Sequence, residues 1–116
     1  MNANDELRQY TGTEKYYLHT CGLIITDGAK ELADRWGAYW LLDIIASYQA
    51  QLKKEEFQVW TIGRYEDSTA IIICTNGNNK ILITQAVPYT DFVPTVATVW
   101  VSNNGENSFA MLPSEY

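Results

Sequence analysis

Between Leu32 and Leu52 the chain places an apolar residue at every fourth position: Leu32, Trp36, Trp40, Ile44, Tyr48 and Leu52. This is helical periodicity, but it cannot stay on one side of a straight helix. At 3.6 residues per turn a strict four-residue stripe drifts by about 40° per step, or roughly 200° over the run. The phase must therefore be reset. Gly37 is the residue that can do it, because glycine costs about 1 kcal/mol inside a helix and suits a C-cap. The spacing predicts two consecutive helices, about 28–36 and 38–54. The second is nearly apolar from Ala38 to Ala46 and is expected to be the central buried element. Asp27 is the expected N-cap of the first helix, since its carboxylate can accept from free backbone N–H groups. Glu31 near the positive end of the helix dipole, and Lys53 and Lys54 at the far end of the second helix, agree with that dipole.

After Phe57 the pattern changes from a helical period to strands. Phe57, Val59 and Ile62 are apolar, with Gln58 and Thr61 in the polar positions. Thr69–Cys74 forms a second strand after the turn Glu66-Asp67-Ser68. Asn76-Gly77-Asn78-Asn79 is a strong turn signal, because Asn and Gly tolerate positive φ. Lys80–Val87 returns as a strand that Pro88 ends, and 88–94 is a loop. Thr95–Ser102 alternates again, and Asn103-Asn104-Gly105 turns it back into Asn107–Leu112. The predicted architecture is α+β: two helices packed on a four- or five-stranded antiparallel meander over about 57–112. Thr13–Thr20 is a short helical turn or extended segment, and Leu23–Ile25 a brief apolar run. Residues 1–11 are polar and form a frayed tail or a short helix.

The length of 116 residues fits a single domain over 1–116. Hydrophobic residues make up 47% and charged residues 19%, so the chain can form a core without a metal or disulfide. Net charge is −6, and no Lys or Arg follows Lys80, while Asp91, Glu106 and Glu115 do. A field of that sign repels phosphate and argues against direct nucleic-acid binding. It permits a basic protein partner. The apolar runs are too short to span a bilayer and the N-terminus is no secretory signal, so a cytoplasmic location is expected. Cys21 and Cys74 lack both a disulfide framework and zinc spacing. They are expected to be buried free thiols in a reducing compartment.

No catalytic constellation stands out. His19, the only histidine, and Cys21 could face one side of an extended segment, but no third orienting group accompanies them. Asp43 is an isolated acid among apolar and aromatic residues. It is expected either to anchor a buried hydrogen bond to a Tyr hydroxyl, a Trp N–H or the backbone, or to act as a general base in a pocket. Neither a Gly-rich phosphate loop nor an acid–His metal cluster is present, so no cofactor or metal is expected.

The segments Thr26-Asp27-Gly28, Gly37-Ala38-Tyr39-Trp40-Leu41-Leu42-Asp43, Ile45-Ala46-Ser47-Tyr48-Gln49, Phe57-Gln58-Val59-Trp60, Tyr89-Thr90-Asp91-Phe92 and Leu112-Pro113-Ser114-Glu115-Tyr116 span nearly the whole chain. Through them it resembles a family of small domains of unknown function found in bacteria, phages and other mobile elements. The resemblance implies no activity, cofactor or catalytic residue. It implies a context in which short proteins bind and disable a host component.

The four Trp, eight Tyr and three Phe supply residues that enrich interface centres. The leading expectation is a non-enzymatic protein-interaction protein, and within that class an inhibitor of a host defence complex such as a CRISPR effector. Its interaction candidates are Asp43, Tyr89, Asp91, Phe92, Trp100, Glu106, Glu115 and Tyr116. The alternatives are a small enzyme or ligand-binding domain with a pocket near Asp43, and a homodimeric adaptor that joins sheet edges or an aromatic helix face.

Overall fold

A computed structural model describes residues 1–116. A short helix α1 (Ala3–Glu6) leads into strand β1 (Tyr16–Leu18), a 3₁₀ turn at Thr20–Gly22 and strand β2 (Ile24–Thr26). Helices α2 (Asp27–Trp36) and α3 (Tyr39–Tyr48) follow, and then β3 (Phe57–Arg64), β4 (Ala70–Thr75), β5 (Ile81–Val87), β6 (Val96–Asn103) and β7 (Ser108–Met111). A 3₁₀ turn at Pro113–Glu115 closes the chain.

The two helices form where the phase argument places the break. Gly37 sits at φ 61°, the left-handed conformation that stops α2, and its N–H bonds the Ala33 carbonyl. The cap at the other end is Thr26 rather than Asp27: the Thr26 hydroxyl accepts from Ala29 N–H, and Asp27 is the first helical residue. The second helix ends at Tyr48, six residues earlier than the apolar spacing predicts. At Gln49 the side-chain amide donates to the Ile45 carbonyl, and the backbone continues as turns. The spacing persists to Leu52 because that turn keeps Leu52 in the core, at 6% exposure.

The sheet has seven strands in the order β1-β2-β7-β6-β3-β4-β5, not four or five. The meander β3-β4-β5 is present, but β6 returns to the other side of β3 and β7 folds back on β6. β2 then joins β7 in parallel, pairing Ile24 with Phe109, and β1 adds an antiparallel edge. These two extra strands have three residues each, too short for alternation to announce them. The N-terminus is held rather than frayed. Ala3 and Leu7 are fully buried, and the Asn4 amide bonds both the N–H and the carbonyl of Thr98.

All core positions of the strands lie on one face: Ile25, Trp60 and Ile62, Ala70, Ile72 and Cys74, Ile83, Ala97, Val99 and Val101, and Ala110. They join Leu32, Leu41, Leu42 and Ile45 from the helices in one cluster. In β3 this inverts the sequence-based register. Gln58 faces the core, while Phe57 and Val59 lie on the outer face. A buried amide is tolerated only when its groups are paired. Here the Gln58 and Gln49 amides bond each other reciprocally at 3.0 and 3.1 Å, and Trp60 Nε1 donates to Gln58 Oε1 at 3.0 Å.

Candidate functional site

The residues singled out from the sequence scatter over the molecule. Asp43 is exposed on α3, not buried, because the apolar stripe leaves it on the outward side of the helix. Its carboxylate only accepts, so His19 Nε2–H donates to Asp43 Oδ1, at 2.7 Å. The imidazole stacks on Tyr39 with centroids 5.9 Å apart. The Tyr39 hydroxyl in turn donates to Asp34, which also takes a 2.8 Å bond from Lys30. These contacts hold the Asp34 carboxyl below the usual carboxylate range, with the Lys30 bond as the main cause, and push the Tyr39 hydroxyl up through its bond to Asp34. The network ties the β1–β2 connection to the elbow between α2 and α3.

Cys21 does not join this pair. Its backbone is left-handed, φ 57°, which breaks the extended alternation that would set it beside His19. It is exposed and lines an open groove of about 350 Å³ with Ser47, Gln49, Lys53, Asn103 and Glu106. Neither His19 nor Asp43 lines that groove. A base with an orienting carboxylate is present, but it shares no cavity with the thiol. Cys74 is the buried cysteine, and burial pushes its thiol up to about 12, with Glu55 adding to the effect. A disulfide dye at neutral pH is therefore expected to titrate one thiol per native chain, Cys21, and the second only after unfolding. Two thiols reacting at equal rates in the native protein would contradict this placement.

Asp91 lies in the loop entering β6 and Glu106 in the turn leaving it, so an eight-residue strand of about 26 Å separates them. They form no common patch. Phe92 is 1% exposed and packs edge-on against Trp36 and Trp40, so it belongs to the core. Glu115 is structural as well. One carboxylate oxygen accepts from the Thr26 hydroxyl and Leu112 N–H, the other from Gly28 N–H. Tyr89 is exposed.

Trp100 and Tyr116 do come together, on the face of the sheet opposite the helices. With Phe57 they form a triad of edge-to-face rings, with centroids 5.2, 5.4 and 5.8 Å apart. The triad sits within continuous cross-strand rows. One row runs Leu18–Ile24–Phe109–Ser102–Phe57, and the next runs Met111–Trp100–Val59–Thr75–Ile81. Farther along come Thr98–Thr61–Ile73–Thr84 and Val96–Gly63–Ile71–Ala86. No residue in these four rows carries a charge, in a chain of net charge −6. An antiparallel sheet covered on one side ordinarily turns polar side chains to water on the other. With strand spacing near 4.8 Å and a rise near 3.4 Å, this face covers on the order of 600 Å². Five of its eighteen residues are Thr or Ser, and its apolar residues gather around Phe57, Val59 and Trp100.

The residues missed in the sequence are the companions of Trp100: Phe57, Val59, Thr61, Ile73, Phe109 and Met111. Their signal is the absence of charge at both alternating sets from Phe57 to Gly63 of β3 and throughout β4 and β6. That pattern marks strands with two dry faces.

The family model for a family of unknown function, DUF6876, matches residues 1–116. The chain belongs to this family. No curated protein and no solved structure matches it. Membership in DUF6876 fixes no chemistry, so the geometry carries the functional argument. No helix of this DUF6876 member is long and apolar enough to cross a membrane.

Proposed function

We propose that the protein is a binding module for another protein, and that the outer sheet face is its contact surface. The observation that carries this is the uncharged apolar face centred on Phe57, Val59, Trp100 and Tyr116. The helices cover the opposite side of the sheet. Interface centres are depleted in charge and enriched in aromatic anchors, as this face is. The acids flank it rather than line it, and their role is to steer a basic partner during approach. Inhibition of a host defence complex, expected from the sequence, is the setting proposed for such a module. The catalytic alternative draws only on the His19–Asp43 pair, which has no adjoining cavity.

Affinity capture from host lysate followed by titration of the captured protein tests the proposal. Trp100→Ala is expected to weaken binding by tenfold or more, the usual cost of an aromatic anchor. Thr61→Glu, which sets a charge in the middle of the face, is expected to abolish it. Asp43→Asn on the helix side is expected to leave binding unchanged. Equal affinity for the wild-type and Thr61→Glu proteins, both folded, would overturn the assignment.

A further inference from the structure

The two edges of the sheet are built differently. β1 spans only Tyr16–Leu18 and is bracketed by Glu14, Lys15 and His19. Shortness and flanking charge are the usual protection of a sheet edge. β5 has neither. It spans seven residues, Ile81–Val87, contains no charge and no proline, and pairs on one side only, with β4. Every second residue of β5 therefore turns its backbone N–H and C=O outward, where no hydrogen bond within the protein takes them up. The ends of this edge carry large exposed apolar side chains, Ile81 at 60% and Tyr89 at 72%.

We propose that β5 pairs antiparallel with β5 of a second copy of this chain, about a two-fold axis at Thr84, joining the two seven-stranded sheets into one. The chemistry of the strand ends selects the occupant and the direction. One end presents Lys80 and Ile81, and the other presents Tyr89 followed by the acid Asp91. Antiparallel pairing sets Ile81 against Val87, Leu82 against Ala86 and Ile83 against Gln85. It carries Lys80 to the Pro88–Tyr89 end of the other copy, where an exposed aromatic ring and an acid meet the cation. The two-fold axis makes this contact twice. Parallel addition would place like ends together. No acid lies within the paired segment, so two chains of net charge −6 meet along the one long edge that carries no negative charge. Pairing also places the two outer faces side by side.

Sedimentation equilibrium from micromolar to near-millimolar concentration is the test. The wild-type chain is expected to reach the mass of a dimer. Thr84 is exposed and would face its own counterpart, so Thr84→Lys is expected to raise the dimer dissociation constant at least about tenfold through the like-charge pair. Mixing Thr84→Lys with Thr84→Glu chains is expected to restore a heterodimer, a rescue that a merely misfolded variant cannot give. Thr61→Lys, on the outer face, is expected to leave the dimer intact. A wild-type monomer at every concentration would overturn the proposal. So would a dimer insensitive to Thr84→Lys, or one that Thr61→Lys dissolves, since that dimer stacks through its faces.

Discussion

Replacing Gln58 by alanine is expected to lower the unfolding free energy by about 3 kcal/mol, one of the two largest effects of a polar substitution in this protein. Gln58 is fully buried, and the amide accepts from Trp60 Nε1 and exchanges two bonds with Gln49. Its Nε2 also reaches the Glu55 carbonyl, while Gln49 Nε2 donates to the Ile45 carbonyl. The network fastens the end of α3 to the start of β3, so the helix and the central strand are registered through it. Truncation leaves the Trp60 N–H and half of the Gln49 amide buried without partners. An unpaired buried group costs more than its bond contributed. Replacing both glutamines by leucine also removes the Gln49 amide, although the Trp60 N–H stays without its acceptor, so the double variant is expected to lose less than the sum of Gln49→Leu and Gln58→Leu. Urea unfolding of the four proteins measures this coupling. Strict additivity would mean that the two amides do not act as a unit.

The second large effect is at the C-terminus. Glu115→Ala is expected to cost about 2–3 kcal/mol. Its carboxylate lies at the N-terminus of α2, where it takes the Gly28 N–H at 2.9 Å and the Thr26 hydroxyl at 2.6 Å. That hydroxyl accepts from Ala29 N–H, so two of the four free donors of the first turn depend on Glu115, one directly and one through Thr26. A negative charge at this end also complements the helix dipole. Gly28 makes the approach possible. A Cβ there would fall 2.5 Å from Glu115 Oε1 and 2.8 Å from Leu112 Cδ1. Gly28→Ala is thus expected to destabilise the native protein, although alanine is favoured in a helix by about 1 kcal/mol. In the Glu115→Ala background it is expected to cost less. A stabilising Gly28→Ala in the wild-type chain would show that the carboxylate does not sit against the helix.

How far the sequence carries can be traced through particular residues. Gly37 was legible because a drifting stripe needs a break and glycine supplies the left-handed cap. The end of α3 was not, since Leu52 keeps the apolar rhythm after the backbone has left the helix. Gln58 reads as solvent-facing because it is a polar residue between Phe57 and Val59, yet it faces the core. Only its pairing with Gln49, nine residues away, makes burial affordable. β1 and β2 exist through long-range pairing, notably Ile24 with Phe109, which no local pattern records. For the candidate site, residue type alone points to Trp100 and Tyr116. The rows that surround them follow from strand register, and register depends on which alternating set the helices cover. Glu115 looked like free surface charge because its partners are 87 and 89 residues away.

The most direct test of the outer face as a protein contact surface is site-specific photo-crosslinking in host lysate. The photoreactive side chain is placed at Thr61, in the middle of the face, or at Asp43, on the helix side. The account predicts one discrete adduct with a heterologous protein from position 61 and none from position 43. An adduct from position 43 with none from position 61 would contradict it, and would move the contact surface to the helices and the His19–Asp43 pair.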